Sequence, residues 1–88
     1  MELRYERRFE RDLGRIRDAA LRRRVERAIV DLETASAIDE VRGIVQLRGS
    51  ATHYRVRIGD YRLGVEVEGE AAVLVTFGHR RDFYRGFP

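Results

Sequence analysis

A two-residue turn, Gly59-Asp60, is the feature that most constrains how this chain folds. Alternating apolar and polar residues lead up to it from His53 and continue after it as far as Val67. Glycine at the first position of such a turn supplies the positive φ that a tight hairpin requires. The turn also fixes the register of the two strands, and every apolar side chain then lies on one face. We therefore predict a β-hairpin over residues 53–67.

The polar face of this hairpin carries three arginines. The register places Arg57 opposite Arg62 and Arg55 opposite Gly64. Like charges directly opposite each other destabilise a sheet by roughly a few tenths of a kcal/mol. Gly64 has no side chain, so we expect a ligand to approach the backbone there. The arrangement favours a phosphate-binding face, and the alternative is a solvated face on which Glu66 neutralises part of the charge.

The region before the hairpin shows the helical spacing of apolar residues. Phe9, Leu13 and Ile16 predict a short helix, and Asp18 is suited to cap the start of a second one. The second helix carries a continuous apolar stripe made of Leu21, Val25, Ala28, Ile29 and Leu32. We predict two antiparallel helices with a tight connection at about residues 7–35.

The remaining segments are shorter. Glu2–Glu6 alternates polar and apolar residues, which predicts an edge strand with Leu3 and Tyr5 pointing inward. Residues 36–52 are predicted to form a turn of helix, an extended segment and a loop. Ala71–Phe77 is apolar on both faces, so we expect a buried strand before a basic, aromatic tail with one helical turn. With no repeat and no linker, all 88 residues are expected to form one domain.

Composition narrows the class of protein. All 18 basic residues are arginine, no cysteine is present, and the formal net charge is +3. His53 and His79 are too few and too isolated to suggest a metal site, so we expect neither a metal nor a small-molecule cofactor. No stretch approaches the roughly 20 apolar residues of a membrane span, and the basic N-terminus has no apolar signal core. We expect a soluble, cytoplasmic protein with no membrane partner.

The C-terminal tail extends the basic surface of the hairpin. His79, Arg80 and Arg81 leave the last strand, and we expect them at the end of the sheet near Arg62. Tyr84 follows Arg80 by four residues, so the two share a face if the tail is helical. A tyrosine beside arginines is suited to stack on an unstacked RNA base. The alternative is that Tyr84 simply pins the tail to the core.

Other arginines lie outside the hairpin face. Those of the second helix form either a solvated surface or a docking surface for structured RNA, held by non-specific phosphate contacts. Together with arginines of the loop and the tail, the residues expected to bind RNA are Arg22, Arg23, Arg27, Arg48 and Arg81.

The hairpin and the tail resemble the RelE/ParE superfamily of toxins from type II toxin–antitoxin modules. The matching segments are Gln46–Gly49, Tyr54–Arg62 and Gly78–Arg85, and the size and the leading helix pair also agree. The resemblance implies an α+β fold. In it, two N-terminal helices pack on a small twisted antiparallel sheet of three or four strands, followed by a short C-terminal tail or helical turn.

Resemblance to the RelE branch also implies an activity. Toxins of that branch are endonucleases that cleave mRNA in the ribosomal A site, through attack of the ribose 2′-hydroxyl on the adjacent phosphate without a metal ion. The implied partners are the ribosome, mRNA and a cognate antitoxin whose C-terminal segment folds on binding. The implied catalytic residues are Arg55, Arg57, Arg62, Arg80 and Tyr84.

The basic residues of the first hairpin strand depart from the RelE pattern. RelE-type toxins often carry lysines in the first hairpin strand, whereas this chain has Arg55 and Arg57. Arginine stays protonated and is a poor base, so both are assigned to substrate binding and to charge stabilisation. The role of general base or general acid is left to His79, Tyr84 or the ribosome-bound substrate. Because imidazole is well matched to neutral pH, His79 is the preferred candidate.

Two other functions stay open at this point. ParE-branch toxins share the fold but inhibit DNA gyrase without catalysis of their own, and they generally lack the full set of arginines and tyrosine. A third possibility is a non-toxic module that binds only nucleic acid or an antitoxin.

Overall fold

The computed structural model describes all 88 residues and shows an α+β fold with three α-helices and one five-stranded sheet. The strands are β1 (Glu2–Tyr5), β2 (Ile44–Gln46), β3 (His53–Ile58), β4 (Tyr61–Glu68) and β5 (Ala71–His79). The helices are α1 (Arg7–Gly14), α2 (Ala19–Thr34) and α3 (Arg80–Phe83), with a 3₁₀ turn at Ile38–Glu40. None of the helices combines the length and the apolar character that a membrane crossing needs.

The sheet is larger than the sequence indicated, and it is mixed. Its strand order is β1-β5-β4-β3-β2, and β1 runs parallel to β5 while all other neighbours are antiparallel. The prediction of an antiparallel sheet with three or four strands was therefore wrong in strand number and in one orientation. Both edge strands are only three or four residues long. Such short segments carry too little alternation to reveal which strand they pair with.

The core lies between one face of the sheet and the first two helices. Phe9 of α1 and Val25 and Leu32 of α2 are fully buried together with Leu63 and Leu74 of the sheet. Complete burial of such a side chain stabilises the fold by about 1.5–3 kcal/mol. The apolar stripe predicted for α2 is therefore confirmed, and it decides which face of the sheet the helices cover.

Helix α1 continues the edge of β5 beyond the end of β1. The parallel pairing covers only Ala71–Leu74, so the later residues of β5 need other hydrogen-bond partners on that side. The carboxylate of Asp12 accepts hydrogen bonds from the Thr76 hydroxyl at 2.9 Å and from the Phe77 N–H at 3.0 Å. A helix carboxylate thus fixes the strand segment that leads into His79.

Tyr5 does not point inward as predicted. It is 46% exposed, and its ring stacks on Phe9 with the ring centroids 6.0 Å apart. Tyr5 ends an edge strand just before α1 begins, so only one side of its ring is covered. Leu3, the other residue predicted to point inward, is half-buried against the core.

Asp18 caps α2 as predicted. Its carboxylate accepts hydrogen bonds from the backbone N–H groups of Ala20 at 2.8 Å and Leu21 at 3.1 Å. These N–H groups belong to the first turn of the helix, where no backbone carbonyl is available to them. The cap therefore fixes where the tight connection between α1 and α2 ends.

Replacing Asp18 with alanine is expected to lower the free energy of unfolding by about 1 kcal/mol, because two helix N–H groups lose their acceptor. Urea denaturation of the full chain measures this loss. Asp39→Ala is the matched control, since Asp39 is also an exposed aspartate but makes no side-chain hydrogen bond. An equal loss in the two variants would contradict the capping role.

Candidate nucleic-acid interface

The β3–β4 hairpin has the predicted register. Arg57 lies opposite Arg62, and Arg55 lies opposite Gly64. Gly59 has a φ of +60°, which the first position of this turn requires. Because side chains alternate along a strand, these arginines lie on the face turned away from α1 and α2. We call the surface formed by Arg55, Arg57 and Arg62 the arginine face.

Arg62 is held by the hairpin turn. Its Nη1 atom donates hydrogen bonds to the carbonyl oxygens of Gly59 and Tyr61, both at 2.8 Å. Its Nε atom is buried and has no hydrogen-bond partner. A buried donor without an acceptor costs about 1–3 kcal/mol. The guanidinium of Arg62 is thus fixed in place with an unused donor.

No carboxylate neutralises the arginine face. Arg55 is half-buried and Arg57 is exposed, and none of the ion pairs of the chain includes either of them or Arg62. Glu66, which was considered as a neutralising group, lies 3.7 Å from the Nε2 atom of His53 instead. The three arginines therefore keep their positive charge for an external anion.

The C-terminal tail meets the arginine face at the hairpin turn. Arg62 pairs with Gly78, and the backbone N–H of Arg80 donates to the carbonyl of Asp60 at 2.8 Å. The predicted position of the tail near Arg62 is confirmed. Tyr84 is 51% exposed and keeps a helical backbone conformation after α3. Tyr84 follows Arg80 by four positions, so the two side chains leave the same side of α3.

His79 begins α3. Its Nδ1 atom accepts a hydrogen bond from the backbone N–H of Arg81 at 3.1 Å, and its ring edge packs against Tyr61. A ring nitrogen that accepts a hydrogen bond carries no proton, so the neutral ring has its hydrogen on Nε2. The acceptor nitrogen of His79 is therefore occupied by the helix cap.

Gly64 is covered by the tail of the protein itself, so the expectation that a ligand approaches its backbone was wrong. A Cβ atom at Gly64 would lie only 3.0 Å from two carbons of the Phe87 ring. Phe87 is 3% exposed and also contacts the ring of His53 at a centroid distance of 5.3 Å. Arg8 holds the tail through a hydrogen bond of 3.2 Å to the carbonyl of Gly86.

The covered glycine limits the part of the arginine face that a substrate can reach. Phe87 and Phe83 pack together with their ring centroids 5.2 Å apart, and both are buried. They occupy the sheet surface beside Arg55. The accessible part is therefore the turn end, where Arg57, Arg62 and the start of α3 meet.

His53 lies at the other end of the hairpin and stabilises a loop. Its Nδ1 atom is 2.7 Å from the hydroxyl oxygen of Ser50, which also accepts the N–H groups of Thr52 and His53. Because both lone pairs of that oxygen accept hydrogen bonds, the hydroxyl donates its hydrogen to the imidazole. No group of three or more His, Cys, Asp or Glu side chains is placed to hold a metal ion.

The five arginines expected to bind RNA do not form one surface. Arg22 is tied back to a carbonyl oxygen of α1 at 3.0 Å, and Arg27 lies 3.7 Å from an aspartate one turn later. Arg48 lies in the loop before β3, at the end of that strand opposite the hairpin turn. Arg23 and Arg81 are exposed and free of ion pairs.

Known proteins are similar to this chain in sequence and in fold. The sequence profile of the family described as "ParE toxin of type II toxin-antitoxin system, parDE" matches residues 3–84. The chain belongs to this family of toxins. The resemblance to the RelE/ParE superfamily inferred from the hairpin and the tail is therefore confirmed.

Relatives of this toxin carry the RelE name. Toxin RelE3 of Methanocaldococcus jannaschii is 27% identical over 89 residues, which cover all of both chains. The RelB–RelE antitoxin–toxin complex from Methanococcus jannaschii contains a chain with a TM-score of 0.81 and 26% identity, covering 97% of this toxin and 99% of that chain. The archaeal RelE–RelB complex from Pyrococcus horikoshii OT3 contains a chain with a TM-score of 0.72 and 22% identity, covering 90% of this toxin and 93% of that chain. At this identity the similarity supports the fold alone.

Two arginines of this toxin were not among the five residues expected to bind RNA. Arg24 and Arg42 line a groove beside β3 together with Arg57. Arg24 was included only as one of the arginines of α2, which form either a solvated surface or a docking surface for structured RNA. No sequence pattern indicated a role for Arg42, because the apolar residues of its segment follow no regular spacing.

The contact between Gly64 and Phe87 predicts a strong coupling between the two positions. Gly64→Ala is expected to lower the free energy of unfolding by about 1–3 kcal/mol, because the new methyl group overpacks against the ring. In a Phe87→Ala background the same change should cost close to zero, since the ring is gone. A double-mutant cycle in urea measures this coupling.

Gly78→Ala is the control for this cycle, because a Cβ atom at Gly78 would meet no atom within 4 Å. It should cost little in either background. A cost for Gly64→Ala that does not depend on residue 87 would refute the contact.

Proposed function

We propose that this toxin is an endoribonuclease that cleaves mRNA on the ribosome and thereby represses translation. The observation that carries the proposal is Arg62, a fixed arginine with a buried, unused donor and no carboxylate partner. Arg55 and Arg57 share its face without neutralisation, and Arg80 is tied to the same turn. The full-length similarity to a protein named Toxin RelE3 also supports the RelE branch.

The proposed reaction needs only the RNA and these side chains. The ribose 2′-oxygen attacks the adjacent phosphorus, the new P–O2′ bond forms, and the P–O5′ bond breaks. The products are a 2′,3′-cyclic phosphate and a 5′-hydroxyl end. The proton of the 2′-hydroxyl passes to a non-bridging phosphate oxygen and from there to the departing 5′-oxygen, so the substrate itself carries the proton.

Charge stabilisation is the role of the arginines in this step. Negative charge builds up on the phosphoryl oxygens in the transition state, and fixed donors stabilise it without reorganisation. Arg62 is the donor fixed by the turn, while Arg55, Arg57 and Arg80 add positive charge around it. Tyr84 has half of its surface exposed beside Arg80, which suits stacking on a base next to the cleaved bond.

His79 receives a smaller role than the sequence suggested. Its Nδ1 atom already accepts the N–H of Arg81, so it is poorly suited to accept a proton from the 2′-hydroxyl. We assign it to the helix cap and to hydrogen-bond donation from Nε2 toward the phosphate. The sequence named Tyr84 and the substrate as the other candidates for proton transfer. We assign the transfer to the substrate, because its phosphate oxygens lie next to its own 2′-hydroxyl group.

A cognate antitoxin is the second part of the proposal. The solved relative from Methanococcus jannaschii is an antitoxin–toxin complex of RelB with RelE. A partner segment that carries carboxylates and folds on binding would neutralise the arginine face, which has no internal counter-charge. Binding of this kind would block the phosphate site and silence the toxin.

Inhibition of DNA gyrase is the competing function, since the matching family is described by the ParE name. A gyrase inhibitor would need no catalytic arginine set. It would block supercoiling and damage DNA while mRNA stayed intact. Supercoiling by gyrase is therefore assayed beside mRNA cleavage in the tests below.

Arg62→Ala and Arg80→Ala are each expected to slow translation-dependent mRNA cleavage about 100- to 1000-fold, the typical loss for a well-placed charge stabiliser. Mapping of mRNA ends after induction gives the readout in cells. Cleavage by purified toxin on programmed ribosomes gives the rate.

Arg11→Ala is the matched control, since Arg11 is an exposed arginine of α1 that takes part in no ion pair. It should cleave at close to the normal rate. Near-normal cleavage by either site variant, or blocked supercoiling with intact mRNA, would overturn the proposal.

Substitution of His79 separates the cap role from a general-base role. Asparagine is a good N-cap, so His79→Asn should keep α3 and retain cleavage within about 10-fold of the normal rate. His79→Ala removes the cap and should lose more stability and more activity. If cleavage by His79→Asn fell as far as cleavage by Arg62→Ala, the imidazole would take part in the chemistry itself, and the cap would not be its main role.

A further inference from the structure

A second basic surface lies around the edge of the sheet from the arginine face. It is a groove of about 230 Å³ between α2 and β3. From α2 it receives Arg24, Arg27 and Asp31, which follow helical spacing and so share one side of the helix. Arg42 lines it from the segment before β2, and Arg57 lines it from β3. We call this surface the basic groove.

Backbone contacts hold the basic groove together. The N–H of Arg57 donates to the carbonyl of Gly43 at 3.0 Å, and a Cβ atom at Gly43 would lie 3.1 Å from the Arg57 carbonyl oxygen. Gly43 has a φ of +78°, a conformation that favours glycine. The close approach of these two backbones fixes Arg42 beside Arg57.

The basic groove is continuous with the arginine face. Arg24 reaches the hairpin turn, where its Nη1 atom lies 2.9 Å from the position of a Cβ atom at Gly59. The carbonyl of Gly59 is also an acceptor for Arg62. Arg57 belongs to both surfaces. A bound chain that leaves the arginine face at the turn therefore enters the basic groove directly.

The lining of the basic groove is strongly basic. Four arginines and one aspartate line it, so its formal charge is +3. Its one ion pair, Arg27 with Asp31 at 3.7 Å, is exposed and contributes little.

We infer that the basic groove binds the phosphodiester backbone of an RNA strand that passes the hairpin turn from the arginine face. An acidic peptide is the other class of polyanion, but a peptide helix also needs exposed apolar surface to bury. The apolar residues of the groove are Ala28, Val56 and Ile58, which are only 7%, 2% and 4% exposed. The groove exposes guanidinium groups, whose planar arrangement of donors matches the oxygens of a phosphate.

The choice of RNA as ligand rests on the proposed ribonuclease function, so the test measures binding without cleavage. The probe is a single-stranded 2′-O-methyl RNA oligonucleotide, which keeps its phosphates but lacks the attacking hydroxyl. Affinity is measured over a range of salt concentrations for the full chain and for the double variant Arg24→Gln/Arg42→Gln. Glutamine keeps most of the side-chain length and removes the charge, and both positions are exposed.

Arg7→Gln/Arg11→Gln is the matched control, because both residues are exposed arginines on α1 without an ion pair. Loss of two phosphate contacts should reduce the slope of log K against log salt by about 1.4, or about 0.7 for each contact. The control should keep the normal slope. The ribonuclease assay can succeed or fail independently of this result.

An unchanged slope in Arg24→Gln/Arg42→Gln, or an equal reduction in the control, would overturn the inference. An oligoglutamate peptide of the same charge is run in parallel. Should the groove variant lose 10-fold or more in peptide affinity while RNA binding is unaffected, the basic groove would be a protein-docking surface instead.

Discussion

The Gly59-Asp60 turn is the constraint on which the rest of the structure depends. Its positive φ sets the register of the hairpin, and its two carbonyl oxygens then hold the functional groups. The carbonyl of Gly59 fixes Arg62, and the carbonyl of Asp60 receives the N–H of Arg80. Arg24 reaches the same turn from α2. One tight turn therefore brings together arginines from three elements that are far apart in the sequence.

Such a cluster carries an energetic cost that the remaining fold must offset. Arg57 and Arg62 face each other without a counter-ion, and the Nε atom of Arg62 has no partner. The opposite face of the same hairpin supplies fully buried apolar side chains such as Leu63. On the arginine face, the tail adds the packing of Phe87 on Gly64. The uncompensated charge of the arginine face is thus offset by apolar packing on both faces of the hairpin.

The sequence revealed the parts of this design that follow a local rule. Period-two alternation and a turn glycine gave the hairpin register, and the spacing of apolar residues gave α2 and its cap at Asp18. Pairing of β1 with β5 escaped prediction, because it joins the two ends of the chain and four residues do not encode a partner. The role of Gly64 was misjudged for a similar reason. A glycine in a strand indicates that space is free above its backbone. Phe87 fills this space, but it lies in a tail whose apolar residues follow no regular spacing.

The chemistry of the cleaved ends is the most direct test of ribonuclease action at the turn. Purified toxin is incubated with ribosomes stalled on a defined mRNA, and both new ends are identified. Attack by the 2′-hydroxyl predicts a 2′,3′-cyclic phosphate on one fragment and a 5′-hydroxyl on the other, in reactions that contain ribosomes only. Intact mRNA, or fragments that begin with a 5′-phosphate, would contradict the account.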